Sequence, residues 1–115
     1  MIIRIWHGWT VPDNADTYEA LLKEEIFVGI ENRRIAGFHG IQLLRREVGA
    51  RDSGAEVEFV TIMRFDSLAA VREFARETAG DDYEVAVVPP KARAVLAHFD
   101  ERSLHYELRA ERSGG

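Results

Sequence analysis

Cysteine is absent from this 115-residue chain. That absence removes disulfide staples, thiolate nucleophiles and cysteine-based zinc sites together. Proline is scarce, with only three residues, two of them adjacent at Pro89-Pro90. Long apolar runs are missing as well: Met1 to Trp6 is interrupted by Arg4 and ends at His7-Gly8. Neither a signal-peptide core nor a membrane span fits there, so no membrane partner is expected and the cytoplasm is the expected compartment. Charge of one sign is never concentrated. The fifteen Lys and Arg are spread along the chain and the net charge is −5, which argues against nucleic acid as a partner. The four histidines form no His-x-His or Glu-x-x-His pair, so no local spacing supports a metal site. Gly29, Gly37, Gly40 and Gly49 make no phosphate-cradling loop, and no Ser, His and Asp grouping follows from the order of residues.

What remains is an ordinary globular composition, 46% apolar and 30% charged. Such a length predicts one domain over residues 1–109, followed by a flexible tail at 110–115. Ile2 to Val11, rich in β-branched and aromatic residues, reads as a strand stopped by Pro12. Asp13 or Asn14 is the expected cap of a helix carrying Tyr18, Leu21, Leu22 and Ile26 at three- and four-residue steps. Phe27, Val28 and Ile30 widen its apolar surface. Gly37 to Val48 and Ala55 to Phe65 alternate around a turn-rich loop at 49–54, which predicts a hairpin. Asp66-Ser67 caps a second helix with Leu68, Val71, Phe74 and Ala75 on one side, and Gly80 is its natural stop. Glu84 to Val88 is a short apolar run ended by Pro89-Pro90. A short helix through about His98 and a last strand at Leu104 to Leu108 complete the chain. The order βαββαβ is that of a ferredoxin-like α+β sandwich with a four-stranded antiparallel sheet.

Nearly every strand is apolar on both faces, yet two long helices cover only one face of such a sheet. A second copy is the expected cover for the other. With a turn centred on Arg51-Asp52, Ile41 opposes Ile62 and Leu43 opposes Val60, an aliphatic patch suited to the helices. Ile3, Ile5, Leu104 and Tyr106 are assigned to that side too. The opposite face then gathers Arg4, Trp6, Gln42, Thr61, Met63 and His105. A few polar groups in an aromatic wall suit a small-molecule pocket, and equally a dimer interface with satisfied polar atoms.

The chain resembles the antibiotic biosynthesis monooxygenase family. The resemblance rests on Tyr18, Gly37-Phe38, Phe65-Asp66-Ser67, Phe74 with Gly80, and His105-Tyr106-Glu107-Leu108. It implies a dimeric α+β barrel, in which two sheets pack face to face as a homodimer. It also implies oxygenation of an aromatic phenol or quinol without metal or flavin, so no cofactor is expected. The haem-degrading branch is disfavoured, because its iron-binding histidine lies in the second helix and Ser67 to Thr78 contains none.

Within that frame His105 is the candidate base, since an imidazole near its ordinary pKa takes a proton from a phenol or anthrone carbon at neutral pH. The same position suits a hydrogen-bonded histidine at a dimer contact. Arg4 is the candidate for stabilising the resulting oxyanion, or else the partner of a carboxylate such as Glu107. Trp6 offers a stacking surface or a packing anchor. Gln42, Thr61 and Met63 complete the expected binding wall, and Tyr83 is expected at its mouth. A non-catalytic dimer holding a hydrophobic metabolite is the alternative function.

Overall fold

The structure, a computed structural model, describes residues 1–49 and 54–114. The turn centred on Arg51-Asp52 lies outside the described residues. The elements are β1 (Ile2–Thr10), α1 (Pro12–Leu21), a π-helical turn (Leu22–Ile26), α2 (Phe27–Asn32), β2 (Phe38–Val48), β3 (Glu56–Phe65), α3 (Leu68–Ala79), α4 (Pro90–Val95), β4 (His98–Phe99) and β5 (Leu104–Glu107). All pairings between these strands are antiparallel, in the order β2-β3-β1, with β4 and β5 sharing the far edge of β1. This is the expected ferredoxin-like α+β arrangement, with one difference. Its last strand is broken in two, β5 opposite Ile2–Ile5 and β4 opposite Gly8-Trp9. At the break, Ala86 N–H donates to the Glu101 carbonyl at 2.8 Å and Ser103 N–H to the Glu84 carbonyl at 2.7 Å. The apolar run Glu84 to Val88 lies beside this break and is joined to it by an isolated bridge, Val85 to Arg102.

Local chemistry accounts for most boundaries. Pro12 occupies the first turn of α1, where its missing N–H costs nothing. The capping expected of Asp13 or Asn14 does not occur: Val11 is the cap residue, and the Asn14 side chain donates instead to the Val95 carbonyl at 3.5 Å. Ser67 does cap α3, its Oγ accepting from Ala70 N–H at 3.3 Å, and Gly80 ends that helix with φ of 62°. Gly37 takes φ of 84° at the start of β2. A Cβ there would lie 3.0 Å from Ala70 Cβ, so glycine also lets α3 close on the sheet.

On β1, β3 and β5 the faces are the reverse of the expected ones, whereas Ile41 and Leu43 of β2 do face the helices as expected. His39 is an extra residue between Phe38, paired with Phe65, and Gly40, paired with Arg64. This bulge shifts the rest of β2 by one position, so Ile41 opposes Met63, Gln42 opposes Ile62 and Leu43 opposes Thr61. A one-residue slip exchanges the faces. The helix side carries Arg4, Trp6, Gly8 and Thr10 with Val57, Phe59, Thr61, Met63 and Phe65. Ile3, Ile5, Val60, Ile62, Leu104 and Tyr106 instead form the outer face with Leu44. Leu44, Leu104 and Tyr106 are 51%, 47% and 53% exposed there. Hydropathy did not separate the two sides, because both are apolar.

Beneath the helices the core falls into two clusters. One joins Ala15, Tyr18 and Leu22 to Val57, Phe59 and Ala92. The other joins Met63 and Phe65 to Ala70, Val71, Phe74 and Ala75 on α3. Tyr18 meets Phe59 edge-on at 4.9 Å, and Phe65 lies 5.5 Å from Phe38 and 5.7 Å from Phe74. Each such buried aromatic contributes about 2–3 kcal/mol.

Candidate functional site

A cavity of about 230 Å³ occupies the seam between the two core clusters. Its floor is the helix side of the sheet, with Arg4, Trp6, Thr61 and Met63. Tyr18 and Leu22 of the first core cluster and Phe74 of the second face one another across it. Glu25, Ile26, Gly29, Ile30 and Arg33 form one rim, and Val87, Val88 and Pro89 the other. Glu25, Gly29 and Arg33 are exposed, which places the mouth along that helical rim.

The π-helical turn shapes this rim. Tyr18, Leu22, Ile26 and Ile30 recur every four residues. In an ideal α-helix each four-residue step rotates the stripe by about 40°, so three steps would swing Ile30 away from the sheet. Widening Leu22–Ile26 into a π-turn takes up part of that rotation and keeps the stripe over the cavity. On the floor, Gly8 makes room for Trp6: a Cβ there would sit 2.9 Å from the indole Cη2. The indole N–H donates to the Asp100 carbonyl at 2.7 Å, fixing the ring.

Arg4 is only 3% exposed. It donates from Nη1 to the Tyr83 carbonyl at 2.6 Å and to His105 Nε2 at 2.9 Å, and from Nη2 to the Val85 carbonyl at 3.2 Å. Its guanidinium also lies over the Phe74 ring, 5.3 Å from the centroid. Neither Glu107 nor any other carboxylate among the described residues pairs with it. Burial accordingly lowers its pKa to about 10. A buried cation balanced only by neutral acceptors leaves positive potential in the cavity.

His105 differs from its expected role as a free base. Arginine has no acceptor to offer, so His105 Nε2 must accept, and the imidazole is neutral with its proton on Nδ1. Burial, and then the neighbouring charge of Arg4, push its pKa down to about 4, against a smaller upward pull from Glu84. The lone pair a base needs is already engaged by Arg4. Nδ1 is buried with no partner among the described residues. The ring meets Tyr83 edge-on at 5.1 Å.

Of the residues singled out in the sequence, the structure brings Arg4, Trp6, Thr61 and Met63 into one wall, with His105 directly behind Arg4. That wall faces the helices of the same chain and not a second copy. Tyr83 lies behind Arg4 and offers it a backbone oxygen, away from the cavity mouth. Gln42 is exposed on the outer face. The other histidines are dispersed: His7 bonds to Asp100 at 3.0 Å, His98 to Glu56 at 2.9 Å, and His39 to Asp66. Sequence reasoning missed the helical rim and Arg33. The four-residue recurrence from Tyr18 to Ile30 was the available signal.

No family model matches the sequence, and no curated protein sequence does either. Solved structures do resemble it. A provisionally named antibiotic biosynthesis monooxygenase from Bacillus cereus superposes with a TM-score of 0.62 at 13% identity, covering 98% of this chain and 97% of that one. An ethyl tert-butyl ether D family protein from Bacillus halodurans superposes with a TM-score of 0.52 at 13% identity, covering 95% of this chain and 100% of that one. At such identity the likeness is one of fold. The chain thus shares with both proteins, over nearly its whole length, a ferredoxin-like α+β architecture.

Proposed function

We propose that the protein binds an ionisable aromatic molecule of the phenol or quinol type in this cavity and oxidises it with O2. The observation that carries this reading is Arg4, a buried cation without a carboxylate partner among the described residues, set in a mostly aromatic and aliphatic wall. Such a wall favours the aromatic body of a ligand, and Arg4 favours its deprotonated oxygen over the neutral form. Trp6 and Phe74 supply ring surface, and Tyr18, whose phenol burial holds in its neutral form, bounds the other side. His105 is a positioning residue that holds Arg4. The proton of the ligand leaves to solvent through the open mouth.

The oxidation balances with O2 as sole oxidant. The ligand carbanion passes electrons to O2, a C–O bond forms, and a protonated hydroperoxide results. Cleavage of the O–O bond then releases one oxygen atom as water with the remaining C–H proton, leaving the other as a carbonyl. The expected acting unit is a homodimer joined through the outer sheet face. Leu44, Leu104 and Tyr106, all about half exposed, form an apolar patch there that a second copy would cover.

Oxygen uptake on aerobic incubation with a panel of anthrones and quinols tests the reading. Wild type should consume O2, and Arg4→Met should lower kcat by about a hundredfold or more, as loss of one preorganised charge-stabilising group does. A second reading, a non-catalytic binding protein, is favoured by one observation. Among the described residues Glu25 is the only carboxylate in the cavity wall, and it is already paired with Lys91 at 3.1 Å, so that wall lacks a free carboxylate base among them. Saturable binding of the panel without O2 uptake would establish that second reading and overturn the first.

A further inference from the structure

The cavity carries a second cation that the chemistry above does not use. Arg33, at the end of α2, reaches across to α3 and donates to the Phe74 carbonyl at 3.1 Å and the Glu73 carbonyl at 3.3 Å. Its guanidinium lies 5.7 Å from the centroid of the same Phe74 ring that Arg4 approaches at 5.3 Å. One aromatic ring thus holds two guanidiniums at one cavity, the buried Arg4 and Arg33 at the mouth. Neither pairs with a carboxylate among the described residues. The remaining charged group of the wall among the described residues, Glu25, is paired with Lys91. Two like charges beside one apolar ring repel each other unless an anion sits with them. With two N–H groups engaged by carbonyls, Arg33 keeps three of its five donors available, enough for a paired contact with a carboxylate.

The volume limits what lies between them. A dry cavity of ~150 Å³ takes one benzene ring, and this one is about 230 Å³. One ring, or two fused rings, fit inside; a larger polycycle would project from the mouth.

We infer that the ligand is a one- or two-ring aromatic carrying a carboxylate, which Arg33 binds at the mouth while Arg4 faces an ionisable oxygen at the floor. This rests on the reading of the cavity as an aromatic-binding site and adds the chemical class of its occupant. Arg33 thereby selects among aromatics, whereas Arg4 acts on any that enters.

Calorimetric titration with two probes, a naphthol and the same naphthol bearing a carboxylate on its distal ring, tests the inference. Wild type should bind the carboxylated probe about tenfold tighter or more, the margin of a charge-assisted contact. Arg33→Gln should abolish that preference, with an unchanged circular dichroism spectrum to show that the variant is folded. Arg33→Lys should keep part of the preference. Equal affinity of wild type for both probes, or a preference that survives in Arg33→Gln, would overturn the inference and leave the aromatic cavity standing. Binding of neither probe would overturn the aromatic cavity itself, and the inference with it.

Discussion

Acidification should remove stability through a single imidazole, and His105→Gln isolates the effect. In the folded chain His105 takes up a proton only near pH 4, whereas its ordinary value is 6.5. Between those values the unfolded chain binds a proton that the folded chain refuses. Stability therefore rises with pH across that window; it is fully present above the ordinary value and is lost as pH falls toward the folded one. Each unit of displacement corresponds to about 1.4 kcal/mol. The imidazole is only partly shielded from solvent at the strand edge, so screening reduces the whole effect to about 1–2 kcal/mol. Gln retains an oxygen that can accept from Arg4 but does not titrate. Urea unfolding of wild type and His105→Gln at about half-unit steps from pH 7.5 to pH 4 gives the difference between the two, in which all other titrating groups cancel. That difference should fall by about 1–2 kcal/mol as pH drops, with most of the change below about pH 6.5. Two parallel profiles would show that His105 is not held neutral by Arg4, and its assignment as a positioning residue would fail.

Other perturbations probe the remaining parts of the site. Gly8→Ala brings a methyl to 2.9 Å from the Trp6 ring and 3.0 Å from Leu96; it should cost about 1–3 kcal/mol in urea unfolding and shift the tryptophan emission. Phe65→Ala removes a fully buried ring from between Phe38 and Phe74 and should cost about 3–5 kcal/mol. Leu44→Glu, placing a charge among the exposed apolar residues of the outer face, should convert a dimer to a monomer in sedimentation velocity while leaving the circular dichroism spectrum unchanged. Wild type sedimenting as a monomer would dispose of the second copy as the cover for that face.

Element order was legible because periodicity and punctuation agreed: Pro12, Ser67 and Gly80 mark real ends, and the strand runs differ from the observed ones by a residue or so. The companionship of Arg4, Trp6, Thr61, Met63 and His105 was also legible, since alternation and pairing fix which residues share a face. Which face of β1, β3 and β5 the helices cover was not. That choice turned on one bulged residue, His39, whose presence no alternation pattern reports because Phe38 stays in its expected pairing. Gln42 was grouped with Thr61 and Met63 for the same reason, although it pairs with Ile62 on the outer face. The role expected of His105 rested on an ordinary pKa, and no sequence feature shows that an arginine will claim its lone pair. Arg33 lay hidden in the polar run Glu31 to Arg34, where its reach back to α3 depends on where α2 ends.

The divided interior also bears on how the molecule meets its ligand. Because the two aromatic clusters are separate, with a cavity in the seam between them, the space between them is filled by whatever occupies it. A molecule seated there would act as a keystone, replacing contacts that a continuous core would make for itself. Occupancy and melting temperature should then rise together, so a thermal-shift screen of small aromatic acids would report the natural guest before any reaction is known.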